Sequence, residues 1–404
     1  MPVKNLMART GLALGLLVGA ALMVLTGQSA GASESRGGQF IAFNRFSLFR
    51  QEKVEPGPST LSGDDGRKES DGKDGLKPAV GVKATGARET PGEIVLTSPE
   101  IRATIGWDEL VASWNAELPE GAYLIVEARA IYRERATKYY TMGSWSGDPT
   151  RHPRESAGKQ RDADGDVSTD TLRLRRPCER LQIRVTLGGE EGRKPKLKFL
   201  GLCLTDTKAA PAPLRPNRAA WGKTIPVPER SQMAYPNGVV LCSPTTVSML
   251  MSYWSQKLKR PELEHDVPEI AKGVYDANFD GTGNWPFNTA YAGGHPGMRG
   301  YVTRLSDVSE LEDWIARGIP VGLSLCYNKL RGREGPPSGH LVVCVGFTKD
   351  GDVVVNDPGT SRNVRKTFPR KNLVAAWAHS RNAVYLIYPE RAKVPRDRFG
   401  HWAK

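Results

Sequence analysis

Hydrophobic and polar residues follow two different rhythms along this chain. Between about 93 and 206 the rhythm is two. In LQIRVTL (181–187), Leu181, Ile183, Val185 and Leu187 alternate with Gln182, Arg184 and Thr186. Residues 124–130 place Leu124, Val126, Ala128 and Ala130 on one side, and TLRLR (171–175) does the same with Leu172 and Leu174. Successive strand side chains point to opposite faces, so each run predicts a strand with one buried face. Glycine-rich turns separate the runs. Several short alternating strands with turn signals predict an all-β sandwich.

Beyond about 225 the rhythm lengthens. Val247, Leu250, Met251 and Trp254 recur at i, i+3, i+4 and i+7, which is one face of a helix. Pro244 belongs in a first turn, where its missing N–H has no intrahelical partner to lose. The helix therefore starts near Cys242 or Ser243. VSELEDWIAR (308–317) predicts a second helix, stopped by Gly318. Strands are expected at 319–327, 340–347, 352–357 and 383–388. One long helix early and several strands late indicate an α+β domain.

The remaining segments frame these two domains. GLALGLLVGAALMVLTG (11–27) is uncharged, follows Lys4 and Arg9, and leads to Ala30-Gly31-Ala32. That is the layout of a secretory signal, so 1–32 is expected to be removed and the product secreted or held at the cell envelope, with no membrane span left after cleavage. Residues 33–50 are mixed and 51–92 are rich in Gly, Ser, Pro, Asp, Glu and Lys with few large apolar side chains, so 33–92 is expected to be a disordered linker. The sandwich is assigned to 93–206, a proline-containing linker to 207–224, the second domain to 225–391 and a tail to 392–404.

The formal charge is +13, and removing Lys4 and Arg9 leaves 13 − 2, or +11. A basic exported protein is drawn to anionic surfaces such as cell-envelope polymers. The Lys and Arg residues are scattered and no nucleic-acid module is present, so nucleic acid is not an expected partner. Trp107, Trp114, Tyr123, Tyr132, Tyr139, Tyr140 and Trp145 include candidates for a glycan-stacking platform, with core packing the alternative. There are five cysteines, none at CxxC spacing. Cys178 with Cys203 and Cys326 with Cys344 could form disulfides, or all four could be buried thiols. Cys242 is left over in either case.

Cys242 precedes the helix, where free N–H groups and the helix dipole favour thiolate over thiol. The thiolate is the attacking species, so the position suits a nucleophile. A nucleophile needs a base, and His340 stands at the mouth of the strand 340–347. If TKDG (348–351) is a four-residue turn, Phe347 faces Asp352 and Val342 faces Asp357. His340 and Asp357 are then diagonal neighbours on one face, roughly 7–8 Å apart at the backbone. That places a carboxylate where it can orient the imidazole. Asn356 points the other way, and a loop one residue different would reverse the choice. The Cys242 N–H and the amide of Gln232, ten residues upstream, are candidate oxyanion donors.

SQMAYPNGVVLCSPTTVSMLMSYW, GTGNWPFNTAYAGG, GIPVGLSL, SGHLVVCVGF and VVVNDPG together resemble the exported bacterial C39-like cysteine peptidases of the papain-like superfamily. The resemblance covers about 225–390. It implies a multi-domain protein with an N-terminal all-β sandwich and a C-terminal α+β papain-like cysteine peptidase domain. It implies Cys242 as nucleophile, His340 as base, Asp357 as its orienting residue and Gln232 in the oxyanion hole. The sandwich segment resembles the partner domain found before such peptidase domains.

The expected activity is hydrolysis of peptide bonds in a peptide or protein substrate, with glycan or anionic envelope contact through the sandwich. An amidase or acyltransferase using the same thiol, and a catalytically silent binding protein, are the alternatives. No cofactor is expected. DANFDG (276–281) resembles the start of a calcium loop, but the twelfth position is Phe287, which supplies no bidentate ligand. DADGD (162–166) reads as a surface turn. His265 and His295 lack partners at metal-ligand spacing, and Asn284 and Trp285 are candidates to line the cleft.

Overall fold

Residues 37–54, 92–190, 192–210 and 212–398 are described by a computed structural model. The expected leader, most of the expected linker and the last six residues lie outside the described residues.

Among the described residues the first half of the chain forms nine strands: β1 (Gly38–Phe43), β2 (Arg50–Val54), β3 (Glu93–Thr97), β4 (Ile101–Glu117), β5 (Ala122–Ala130), β6 (Tyr140–Ser146), β7 (Gly165–Ser168), β8 (Thr171–Gly189) and β9 (Lys196–Thr205). All pair antiparallel in a single sheet with the order β1-β9-β4-β8-β3-β2, while β5 joins β8 and β6, and β7 joins β8. The two separate sheets expected of a sandwich are therefore one sheet, bent into a half-barrel. The reason is strand length. β8 runs for 19 residues; its first half pairs with β4 and its second half with β3 and β5. Register shifts in β4 around Trp107 mark where the strand bends. The alternation in 181–187 holds: Leu181, Ile183, Val185 and Leu187 are buried.

Two strands fall inside the segment expected to be a disordered linker. β1 pairs with β9 from Gly38↔Thr205 to Phe43↔Leu200, and β2 pairs with β3 from Arg50↔Thr97 to Val54↔Glu93. Phe40, Ile41 and Phe49 are buried. Averaged over 33–92, these few apolar residues are outweighed by the polar stretch after them, which hides two edge strands.

The second half carries the helices α1 (Cys242–Leu258), α2 (Val267–Val274), α3 (Trp285–Gly294), α4 (Val308–Ala316), α5 (Tyr327–Leu330) and α6 (Arg370–Trp377). Its strands are β10 (Met298–Arg304), β11 (Val321–Cys326), β12 (Gly339–Phe347), β13 (Val353–Asn356), β14 (Arg365–Phe368) and β15 (Ala383–Pro389), in one antiparallel sheet ordered β10-β15-β11-β12-β13-β14. Asp307 caps α4 through Ser309 and Glu310, and Gly318 follows it at φ +72°. No helix among the described residues is long and apolar enough to cross a membrane.

α1 is enclosed on all sides rather than along one stripe. Every residue from Ser243 to Ser255 is buried. Small hydroxyl residues allow this because three of them satisfy their own polar groups, while the Thr246 hydroxyl is buried without a partner. Thr245 donates to the Leu241 carbonyl (2.7 Å), Ser248 to the His265 carbonyl (2.8 Å), and Ser243 shares a hydrogen bond with Tyr385 (2.8 Å). The nucleophile candidate thus stands on a rigid central post.

Among the described residues the two halves share one core. Trp114 and Trp145 of the half-barrel contact the Phe287 ring of α3. The Asn115 amide exchanges hydrogen bonds with Gly300 of β10 (2.6 and 3.2 Å), and Asp170 accepts the Trp285 N–H at the start of α3 (2.9 Å). Gly293 has no room for a side chain, because a Cβ there would lie 2.1 Å from the Asn115 amide nitrogen. The segment expected to be a free linker is docked too. Leu214 and Asn217 donate backbone N–H groups to Asp307 and Glu312, and the Trp221 indole donates to Glu312 (2.7 Å). The described part of the tail is held by an Arg398–Asp313 ion pair (2.7 Å).

Candidate active site

Cys242 is the first residue of α1 and is partly exposed. Burial raises its thiol pKa. The His340 imidazole and the backbone N–H groups of Leu341 and Ser243 act in the opposite direction and prevail, so the thiol is held below its ordinary value. The Ser243 N–H is one of the free donors at the helix start, which is the physical basis of the sequence expectation.

His340 is the second residue of β12 and is buried. Its Nε2 lies 2.9 Å from Asp357 Oδ1, and the ring also hydrogen-bonds the Cys242 sulfur. Burial alone would depress the imidazole. Asp357 and Cys242 override it and push the pKa up to about 9. Asp357 is fully buried, which raises a carboxyl, but His340, the Tyr327 hydroxyl and the Gly359 N–H hold it below the usual carboxylate range. The three residues therefore form a line: sulfur, imidazole, carboxylate.

The hairpin reaches this arrangement by an unexpected route. Phe347 pairs with Val353 and Gly346 with Val354, so the loop is one residue longer than TKDG alone. Uncorrected, that slip would turn Asn356 toward His340. A bulge between Cys344 and Gly346 absorbs the extra residue, and Cys344↔Val355 and Val343↔Asn356 regain the expected register. Gly346 carries the bulge where the backbone of Lys223 crosses; a Cβ there would lie 2.1 Å from the Lys223 carbonyl oxygen. Asn356 faces away, donating to the Val227 carbonyl (3.1 Å) and accepting from Arg365 (3.0 Å).

Gln232 is buried at the start of a short 3-10 turn, Gln232–Ala234. Its backbone N–H donates to the carbonyl of Pro358, the residue after Asp357 (3.0 Å). Its side-chain amide donates one N–H to the Gly238 carbonyl (2.7 Å), four residues before Cys242, and its Oε1 is buried without a hydrogen-bond partner. An amide has two N–H donors, so one is left over in this corner.

Two residues at the site were not singled out from the sequence. Tyr327 opens α5 directly after β11. Its hydroxyl donates to Asp357 Oδ2 (2.7 Å) and its ring stacks on His340, with centroids 4.1 Å apart. Arg331 lies 3.8 Å from the same ring's centroid. Gly359 donates its N–H to Asp357 Oδ1 (3.0 Å), and a Cβ on it would stand 3.0 Å from the imidazole. Only the glycine in VVVNDPG offered a sequence signal for this crowding.

The other candidates are accounted for as follows. All five cysteines are free, so neither disulfide pairing forms, and Cys178, Cys203, Cys326 and Cys344 are buried thiols. Asn284 is buried at the cap of α3, where its amide donates to Asp276 (2.8 Å). Trp285 follows it at the domain junction. In DADGD, Asp162 accepts from Tyr140 and Asp164 pairs with Arg135, which makes it a structural turn. His265 and His295 do find partners: their Nε2 atoms are 2.8 Å apart, and His265 Nδ1 meets Glu269 at 2.7 Å. Among the described residues no group of three His, Cys, Asp or Glu could hold a metal ion. Trp107, Trp114, Tyr132, Tyr140 and Trp145 are core residues, leaving Tyr123 and Tyr139 partly exposed.

Residues 224–385 match the profile described as the Peptidase C39 like family, and residues 82–204 match the Peptidase C39 N-terminal domain. The chain belongs to the C39-like peptidase family. One solved structure, described as a "putative C39-like peptidase from Bacillus anthracis", is 16% identical with a TM-score of 0.32, covering 42% of this chain and 98% of that one. Comparison with curated proteins found no match. The half-barrel is thus the N-terminal partner of a C39-like peptidase domain, and family membership supports a cysteine peptidase.

Proposed function

We propose that this protein is a secreted cysteine peptidase with a papain-like centre, in which Cys242 is the nucleophile, His340 the general base and acid, Asp357 the residue that orients it and Gln232 an oxyanion donor. The observation that carries the reading is the His340 imidazole held between the Cys242 sulfur and Asp357 Oδ1. His340 takes the Cys242 proton, giving a thiolate and an imidazolium. The thiolate attacks the amide carbonyl, forming the C–S bond and pushing the carbonyl electrons onto oxygen. The Cys242 N–H and the free Gln232 amide N–H receive that oxyanion, each such donor being worth about 2.7–4 kcal/mol of barrier. As the C–N bond breaks, His340 gives its proton to the leaving amine. Water, deprotonated by His340, then attacks the thioester, and collapse of the second oxyanion releases the acid and the thiol.

The leader at 1–32 supports export to the cell envelope or beyond, with 225–391 as the catalytic domain. Contact with a glycan or anionic envelope polymer is assigned to the half-barrel. A hollow of about 720 Å³ on its polar face is lined by Arg50, Arg129, Tyr139, Gln182 and Arg184 and supports that assignment. Hydrolysis of an internally quenched peptide library, compared with amide-linked wall fragments, tests the reaction. Peptide cleavage lost in Cys242→Ala and His340→Ala is the expected result. Cleavage of wall fragments alone would make the enzyme an amidase, and cleavage retained in Cys242→Ala would remove the nucleophile.

A further inference from the structure

Large apolar side chains are seldom left in water together without a purpose. Among the described residues eight large hydrophobics are exposed, and five stand on two loops by Cys242: Met233 (45% exposed), Val239 (73%), Val240 (62%), Tyr275 (43%) and Phe279 (48%). Val239 and Val240 are three and two residues before Cys242. The two loops are tied to each other. The Thr282 hydroxyl donates to the Val240 carbonyl (3.1 Å), and the Phe279 ring lies across Gly281 and Gly283, where added Cβ atoms would stand 3.0 and 3.5 Å from it. Met233 belongs to the same loop as Val239 and Val240, its backbone Cα 3.1 Å from where a Cβ on Gly238 would be.

The loop that presents Phe279 is held in shape from within. Asp276 is fully buried, and its carboxylate accepts the N–H groups of Asn278 and Phe279 (both 3.1 Å) and of Ser156 (2.9 Å), and the Asn284 amide (2.8 Å). The acidic residue that resembles a calcium ligand is therefore consumed in building a fixed platform. A surface fixed before binding loses less entropy when something is seated on it.

We propose that these side chains form the recognition wall of the catalytic site, and that the substrate is a polypeptide with a large aliphatic or aromatic side chain beside the scissile amide. The inference rests on the cysteine peptidase reading above. A permanent partner on this surface would cover Cys242, so the occupant has to leave with each turnover. Val239 and Val240 share a short turn with the chain entering α1, so a side chain seated on them brings its own backbone to the sulfur.

The test uses the full chain and an internally quenched peptide library varied on both sides of the scissile bond. Leu, Ile, Met or Phe at one adjoining position is expected to raise kcat/KM about tenfold or more over Gly, Ser or Asp, the scale of burying one apolar side chain. Val239→Ser with Val240→Ser, and separately Phe279→Ser, are expected to flatten that preference mainly through KM. Iodoacetamide, which has no side chain to seat, reports the thiolate in each variant. Cleavage without apolar preference, or preference untouched by the substitutions, overturns the proposal and leaves the peptidase reading standing. Substitutions that slow alkylation as much as cleavage would place these residues in support of the nucleophile and also overturn it. No cleavage of any peptide, with alkylation intact, counts against the peptidase reading itself.

Discussion

Tyr327→Phe removes a single oxygen atom, and the structure says where its effect goes. The lost hydroxyl is the 2.7 Å donor on Oδ2 of Asp357, a fully buried carboxylate. A hydrogen bond to a charged group is worth about 1.5–3 kcal/mol, so the folded state should lose that much at neutral pH. The sign follows from ionisation. Asp357 is held below the usual carboxylate range, so its contribution to stability is present above the unfolded value of about 3.9 and is lost as pH falls through the lower folded value. The cost of Tyr327→Phe should shrink over the same acid range. Urea unfolding of the wild type, Tyr327→Phe, Asp357→Ala and the double variant closes a cycle. In the Asp357→Ala background the substitution should cost under about 0.5 kcal/mol. Equal losses in both backgrounds would show that ring packing, not the carboxylate, is what Tyr327 serves.

Three further outcomes are expected. His340 is pushed up to about 9, so the imidazolium persists below that pH, while its share of stability is full below the unfolded value of about 6.5 and is lost as pH rises from there through about 9; kcat/KM should hold through neutrality and fall above about 9, whereas an alkaline limb at the ordinary imidazole value of about 6.5 would contradict the pairing. Residues 224–391 expressed alone should fail to fold, because removing the half-barrel uncovers Phe287 and unpairs the Gly300 and Val302 backbone; a sharp near-ultraviolet circular dichroism spectrum from that fragment would refute the shared core. Gly238→Ala sets a Cβ 2.1 Å from the Gln232 carbonyl oxygen, so it should displace Gln232 and lower kcat by up to about a hundredfold to a thousandfold while alkylation of Cys242 continues; unchanged kcat would remove Gln232 from the oxyanion site.

Much of the site is visible in local sequence because local rules position it. Pro244 and the apolar spacing of 247–254 mark where α1 begins, and that fixes the Cys242 sulfur against free N–H groups. Apolar runs in 340–347 and 352–357 on either side of TKDG indicate a hairpin, but its register depends on the bulge before Gly346, where the Lys223 backbone crosses. No pattern within the hairpin encodes that crossing. Tyr327 is equally invisible, since an aromatic after an apolar strand looks like core. The edge strands 38–43 and 50–54 are too short to outweigh their polar surroundings. The half-barrel escaped notice because periodicity indicates which face of a strand is buried, not which of two neighbours a 19-residue strand such as β8 joins along its length. His265 and His295 meet only because α2 and α3 pack together.

The central claim is that an imidazole and a helix start hold the Cys242 thiol below its ordinary value. Site-resolved alkylation of the native protein with iodoacetamide, followed by mass spectrometry across the pH range, tests this directly. Cys242 should react fast, with its pH midpoint below the ordinary thiol value of about 8.5, and should slow in His340→Ala, while the buried Cys178, Cys203, Cys326 and Cys344 stay protected. A Cys242 rate that climbs only near that ordinary value, or that is indifferent to His340, would contradict the account.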